Sequence, residues 1–194
     1  PGAHRLTWSG DRIDVNRYWF LPADGRVRYR RSSDYIERFK ELLRTAVDDR
    51  LRTNRVAIEM SGGLDSPAIA AIAREMLARS GAQFDVRAYT FVYDRLIADR
   101  ERHFSGLVAK ALTIPINYLA ADDYPPFQPT TELDGVVPEP FYLFQQAAAN
   151  TEFYRMIAAH SRVVLTGWDG DALLSESPRL YFRALLRKLE LVEL

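Results

Sequence analysis

The sequence predicts an α/β fold in which a parallel sheet carries helices on both faces. From residue 32 onward, short apolar segments alternate with amphipathic helical segments. The segment 55–60 is mostly apolar at consecutive positions, as in strands covered on both faces, and Glu59 is its odd residue. Loops that contain glycine and aspartate follow two of the predicted strands, where such sheets bind ligands.

Each predicted element rests on a local pattern. Aromatic and aliphatic residues predict a short extended segment over residues 13–31, with a turn at 23–25. Apolar residues at helical spacing predict helices over residues 35–51, 67–80, 100–112, 141–160 and 178–191. Short apolar runs predict strands over residues 55–60, 86–93, 115–119 and 162–166. Ser66 is expected to cap the second helix, with Pro67 at its first position and Gly81 at its end.

The composition of the 194-residue chain excludes several classes of protein. Hydrophobic residues make up 47% and charged residues 27%, which excludes collagen-like and disordered chains. The 26 basic residues balance 26 acidic ones, so net charge favours neither nucleic acid nor a membrane surface as a partner. No apolar run approaches the ~18 residues of a membrane span. The lack of cysteine excludes disulfides, thiolate metal sites and cysteine nucleophiles in this chain, and the expected location is the cytoplasm.

The hexapeptide SGGLDS at residues 61–66 lies between a predicted strand and a predicted helix. Two glycines let the backbone turn sharply and approach a ligand. Successive N–H groups at a helix N-terminus favour a polyphosphate, and the two serines add hydroxyl donors. Asp65 would repel phosphate unless a divalent cation lay between them. A tight turn with Ser66 as a mere cap is the alternative, and the complete hexapeptide favours phosphate binding.

A second motif, TGWDGD at residues 166–171, follows the last predicted strand. By itself this pattern is more typical of a surface turn than of a site. Because the indole of Trp168 cannot act as a general base at neutral pH, we expect it to wall an acyl pocket or to stack on a ring.

Together the two motifs resemble the signatures of the asparagine synthetase family, SGGxDS and S/T-G-x-G-x-D-E, whose members cleave ATP between its α and β phosphates. The resemblance spans about residues 18–178 and implies an adenine nucleotide α-hydrolase-like, Rossmann-like fold. It also implies that ATP and Mg²⁺ are bound. The implied nucleotide-binding residues are Ser61, Gly62, Gly63, Leu64, Asp65, Ser66, Gly167 and Trp168, and the implied magnesium ligands are Asp65 and Asp171.

Two weaker segments extend the resemblance. Residues 99–104 resemble the family's D-E-x-x-Y-A helix start, with Glu101 at the position of the glutamate. Residues 138–140 resemble its Asp-Glu-Pro segment, whose glutamate lies near the acyl-acceptor side and corresponds to Glu139. The resemblance thus implies catalytic roles for Glu101 and Glu139. An acidic residue favoured by a helix dipole is the alternative for both.

Four positions depart from the family's pattern. Pro67 replaces a serine or threonine that would contact phosphate. Trp168 stands where asparagine synthetases have Glu and β-lactam synthetases have Tyr. Asp169 replaces a glycine, and Ala172 replaces the final Glu. These departures indicate a specialised member rather than ordinary asparagine synthesis.

The resemblance also implies a domain organisation. Tyr18-Trp19 through Pro22 resembles the Y-W-x-L-P segment that joins the glutaminase and synthetase domains of the family. Residues 1–31 are then a linker after a glutaminase domain that is missing here. Residues 32–194 are the N-terminal part of the ATP-binding domain, without its C-terminal half, so this chain by itself is expected to form no amide.

The implied reaction has two steps: Mg·ATP and a carboxylate give an acyl-adenylate and pyrophosphate, and ammonia or an amine then gives an amide. Expected partners are a small-molecule or peptide carboxylate and a glutaminase domain or protein as the nitrogen source, with no nucleic acid or membrane; a homodimer stays open. The alternatives are an ATP-binding module without turnover, or a ring-closing enzyme similar to β-lactam synthetases and lasso-peptide cyclases. The Tyr-Trp linker and the second signature argue against a GMP synthetase or tRNA thiolase branch.

Overall fold

A computed structural model describes residues 2–20, 27–81, 83–128 and 144–174, together with 179, 182 and 186. The chain divides into two compact units, residues 1–40 and 41–194. Of the predicted helix over 178–191, three described positions are helical, and Glu139 lies outside the described residues.

The first unit contains an antiparallel hairpin. Strand β1 (His4–Trp8) pairs with β2 (Ile13–Arg17). The extended prediction missed β1, and within the described residues 27–31 no strand forms. Instead, the rings of Tyr29 and Tyr35 pack edge to face. Tyr35 lies in the first turn of helix α1 (Ser32–Asp48). An alternating pattern makes a strand only where a neighbouring strand accepts its hydrogen bonds, which local sequence does not report.

The second unit contains a four-stranded parallel sheet with the order β5-β4-β3-β6. Its strands are β3 (Arg55–Glu59), β4 (Asp85–Val92), β5 (Ile116–Ala120) and β6 (Val164–Thr166). The chain proceeds outward from β3 to β5 and then returns to place β6 on the other side of β3. The strand order therefore reverses between β3 and β6, and Glu59 pairs in register with Thr166. The two motif loops consequently leave the sheet at the same level.

Helices cover both faces of this sheet, which confirms the predicted fold class. The helices are α2 (Asp65–Arg79), α3 (Glu101–Leu112), α4 (Ala147–His160) and α5 (Gly170–Leu174). On one face, Ile58 belongs to a core with Ala73 of α2 and Ala109 of α3. On the other face, Ala57 belongs to a core with Phe153 of α4. Among the described residues, no helix is both long and apolar enough to cross a membrane.

The start of α2 corrects the prediction for Ser66. The helix begins at Asp65, and its N-cap residue, Leu64, makes no side-chain capping bond. Ser66 is thus a helical residue, and its hydroxyl accepts a bond from the Ser61 N–H at 2.8 Å. Pro67 is the third helical residue, where a missing N–H costs little because first-turn N–H groups have no intrahelical acceptor. Gly81 follows the helix in the left-handed region with φ +69°, as its predicted place at the end requires.

Candidate active site

A crevice of about 510 Å³ opens at the carboxyl ends of β3, β4 and β6, a size that suits a small-molecule ligand. The structure brings most of the sequence-predicted site residues together in its lining. The predicted residues that line it are Ser61, Gly63, Leu64, Asp65, Ser66, Glu101, Gly167, Trp168 and Asp171. Gly62 contacts this set through its bond to Glu101. The crevice also receives Asp169 and Gly170 of the second motif.

The loop after β3 is tied to the first turn of α2 by its two serines. The Ser61 and Ser66 hydroxyl oxygens lie 3.1 Å apart, and the Gly63 N–H points to the Ser61 oxygen at 3.3 Å. Ser66 is buried, with 3% of its surface exposed, whereas Leu64 is 87% exposed. The Ser66 hydroxyl therefore stabilises the loop from within the protein, whereas the Leu64 side chain points to solvent and does not pack beneath the loop.

Glu101 at the start of α3 reaches the same loop. One of its carboxylate oxygens accepts a bond from the Gly62 N–H at 2.5 Å. A carboxylate thus already occupies an N–H group of the kind that binds phosphate. A Cβ at position 62 would lie 2.5 Å from the Phe104 Cβ, so only glycine allows α3 this close to the loop.

Asp99 orients Glu101, a role that motif reading missed. Its carboxylate accepts the Glu101 N–H at 2.7 Å and the Tyr93 N–H at 2.9 Å. It joins the end of β4 to the start of α3, since a carboxylate is the preferred partner of free N–H groups at a helix start. The sequence signal that could have identified this role is an aspartate two residues before the glutamate in the first turn of α3.

The second motif loop packs directly on Asp65. A Cβ at position 170 would lie 2.1 Å from the Asp65 Oδ2, and one at position 167 would lie 2.7 Å from the Ser66 nitrogen. The two glycines therefore allow the loops to touch. Asp171 follows Gly170 and lines the same crevice as Asp65.

Asp169 explains one departure from the family's pattern. Its φ is +63°, in the left-handed region. Glycine adopts this region freely, and aspartate is among the few other residues that tolerate it. The aspartate at this position is thus compatible with the positive φ that the loop adopts.

Asp65 and Asp171 fit the kind of donor set that magnesium takes beside phosphate. Asp65 and Asp171 both line the crevice. In the described part of the chain, no three His, Asp or Glu residues form a group that could hold a metal. Mg²⁺ typically takes one or two carboxylates and completes its octahedron with phosphate oxygens and water. The donor set therefore fits Mg²⁺ that arrives with a nucleotide.

Glu59 is a second site residue whose contacts the sequence did not predict. The Trp168 Nε1–H donates to its Oε1 at 3.1 Å, and the Tyr154 hydroxyl donates to its Oε2 at 3.2 Å. Glu59 and Trp168 both line the crevice. The sequence signal was a carboxylate at the end of a mostly apolar strand.

Charged groups hold the loop that follows β4 at the edge of the site. The Asp122 carboxylate accepts three backbone N–H bonds, from residues 94, 95 and 96, which lower the pKa of Asp122 to about 2. The Arg102 guanidinium bonds Asp94 and lowers the pKa of that carboxyl as well. Next to this loop, Thr90 and Phe91 of β4 line the crevice.

Comparison with known proteins finds one family model that matches most of the chain. The family model described as asparagine synthase matches residues 38–193. No curated protein matches the chain.

Two solved structures are similar at low identity. One is the NH3-dependent NAD synthetase from Campylobacter jejuni, with 14% identity, 73% of this chain and 60% of that chain covered, and a TM-score of 0.46. The other is the U34-tRNA thiolase NcsA from Methanococcus maripaludis, with 18% identity, 70% and 46% covered, and a TM-score of 0.49. The match spans less than two thirds of the length of either protein.

Proposed function

Because the chain belongs to the asparagine synthase family, we propose that its crevice binds Mg·ATP for the adenylation of a carboxylate, followed by amide formation. The observation that carries the proposal is the packing of the second motif loop on Asp65 where the strand order reverses. Such reversal points are where parallel α/β sheets bind ligands. Here one motif supplies N–H groups for phosphate, and both supply a carboxylate for its counterion.

In the proposed reaction, a carboxylate oxygen attacks the α-phosphorus of ATP, and the bond to the β-phosphate breaks. Pyrophosphate leaves, and ammonia or an amine attacks the acyl carbon, releases AMP and loses a proton. The loop at residues 61–66 and the N-terminus of α2 would orient the β and γ phosphates. Asp65 and Asp171 would hold Mg²⁺, which when bound neutralises phosphate charge.

The remaining assignments are proposals of different kinds. The Glu101 carboxylate holds the Gly62 N–H in this structure and would release it to an incoming phosphate oxygen. We therefore assign this carboxylate the role of positioning the loop before the nucleotide binds. Glu139 is proposed at the acyl-acceptor side on the family resemblance alone. The nitrogen would come from a glutaminase domain or partner protein, and the cytoplasm, which supplies ATP, is the proposed location.

Calorimetric titration with ATP tests the nucleotide site. We expect binding that requires magnesium and an affinity that falls at least about tenfold, or ~1.4 kcal/mol, in Asp171→Asn. Asp49→Asn changes an exposed aspartate just after α1; it is the matched control and should bind as the wild type does. Equal affinity with and without magnesium, or an unchanged Asp171→Asn, would overturn the proposal.

A nucleotide-binding module without turnover is the second candidate, and Trp168 favours it. The residue after Gly167 bonds Glu59 through an indole N–H and has no group that accepts a proton at neutral pH. Because this chain by itself is expected to form no amide, the two candidates are compared in the longest natural protein that contains it. Release of pyrophosphate from Mg·ATP in the presence of carboxylate and amine substrates supports the synthetase. Tight nucleotide binding with no pyrophosphate release across a panel of carboxylates supports the module.

A further inference from the structure

Glu59 is a carboxylate in the crevice that the proposed ATP chemistry leaves without a partner. Its two oxygens accept bonds from two neutral donors, Trp168 and Tyr154. Across the described part of the chain it forms no ion pair. A cation bound in the crevice would supply the countercharge that this carboxylate lacks.

The position of Glu59 separates it from the phosphate side of the crevice. Side chains alternate along β3, so Glu59 faces the same side as Ala57, which packs in the core with Phe153 of α4. Asp65 begins α2, whose core lies on the opposite face. Glu59 therefore lies on the α4 side of β3, whereas Asp65, at the start of α2, lies on the side to which the phosphates are assigned.

The two donors fix the carboxylate without neutralising it. An ionised carboxylate offers about four lone-pair positions, and Trp168 and Tyr154 use two of them. A primary ammonium brings three N–H donors and the missing charge. The indole of Trp168 is 55% exposed, so its ring face is also accessible to a cation.

We propose that Glu59, held by Trp168 and Tyr154, is a specificity-determining residue that binds a primary ammonium group of the substrate beside the nucleotide. This inference rests on the proposed function, because it places a charged group of the substrate beside the bound nucleotide. The ammonium could belong to the carboxylate substrate or to the incoming amine, and the experiment separates these two sources.

The probes are butylammonium, its neutral counterpart butanol, and 4-aminobutyrate, added to the protein saturated with magnesium and a non-hydrolysable ATP analogue. The readout is the NMR signal of the Trp168 indole N–H, assigned by its loss in Trp168→Phe. We expect butylammonium to shift this signal in a saturable way and butanol to leave it in place. Tighter binding of 4-aminobutyrate assigns the ammonium to the carboxylate substrate, and equal or weaker binding assigns it to the incoming amine.

Glu59→Gln keeps an oxygen acceptor for the indole and removes the charge, so butylammonium should bind about tenfold more weakly. Asp49→Asn is the control and should bind it as the wild type does. Butanol shifting the signal as butylammonium does in the wild type would overturn the inference, and this comparison needs no variant. So would unchanged butylammonium affinity in Glu59→Gln. The ATP titration is scored separately: Mg·ATP binding with no ammonium effect refutes this inference alone, and no Mg·ATP binding refutes the proposed function.

Discussion

The loop after β3 and the loop after β6 reach the same crevice but are held in different ways. The first is braced from within by its two serines and from α3 by Glu101. The second makes its close approach through two glycines and bends through Asp169 at a positive φ. The first matches the family's signature over residues 61–66 and departs from the pattern only after it, at Pro67, whereas the second departs at three positions. Most of the departures therefore lie in the loop that carries Trp168.

The largest expected effect breaks the bracing of the first loop. Gly62→Ala would place a Cβ 2.5 Å from the Phe104 Cβ, so α3 must move and the Glu101 bond must lengthen. We expect a loss of about 1–3 kcal/mol in the free energy of unfolding, measured by urea titration. Gly63→Ala is the matched control, because its Cβ would meet only the Ser61 hydroxyl at 3.3 Å, and we expect less than ~0.5 kcal/mol. Equal losses for the two variants would show that α3 does not press on the loop.

The corresponding change in the second loop should act on binding rather than on folding. Gly170→Ala would place a Cβ 2.1 Å from the Asp65 Oδ2, and a side-chain oxygen can rotate away where a helix cannot. We expect affinity for Mg·ATP to fall about tenfold, or ~1.4 kcal/mol, with a smaller loss of stability than in Gly62→Ala. Calorimetry and urea titration on the same samples measure both. A variant that binds Mg·ATP normally would contradict the role given to Asp65.

A paired substitution at position 169 tests whether the second loop depends on its positive φ. Asp169→Gly and Asp169→Ala both remove the carboxylate, but only glycine adopts φ +63° without strain. We expect Asp169→Ala to be less stable than Asp169→Gly by about 1 kcal/mol in urea unfolding. Equal stabilities would mean that the loop is not held in this conformation.

The smallest expected effect concerns the loop after β4, which charge rather than glycine holds. The folded-state pKa of Asp122, about 2, lies below its ordinary value, so its contribution to stability is present above about pH 4. That contribution is lost as the pH falls through about 2. We expect the free energy of unfolding to depend less on pH between about 4 and 2 in Asp122→Asn than in the wild type. Identical pH profiles from urea titrations would contradict this, and high salt should reduce the difference because the group is exposed.

Local patterns in the sequence were sufficient for the elements and for the identity of the two loops. Helical spacing and apolar runs act over a few residues, so β3, α2, β4 and α3 lie within a few residues of their predicted bounds. The side chain of Ser66 was misassigned because α2 begins at Asp65, which turns the hydroxyl back toward Ser61. The strand β1 was missed because its pairing with β2, not its own sequence, makes it a strand.

The sequence by itself determined the alternating fold and the two signatures, because each is written in neighbouring residues. Only the tertiary structure decided what the crevice offers between them. It placed Glu101 on Gly62 across 39 residues, and Trp168 and Tyr154 on Glu59 across 109 and 95 residues. These contacts depend on β6 returning to the far side of β3, and on which face of the sheet α4 covers. Both are decided by how buried apolar surface is shared among all the elements, which no short stretch of sequence encodes.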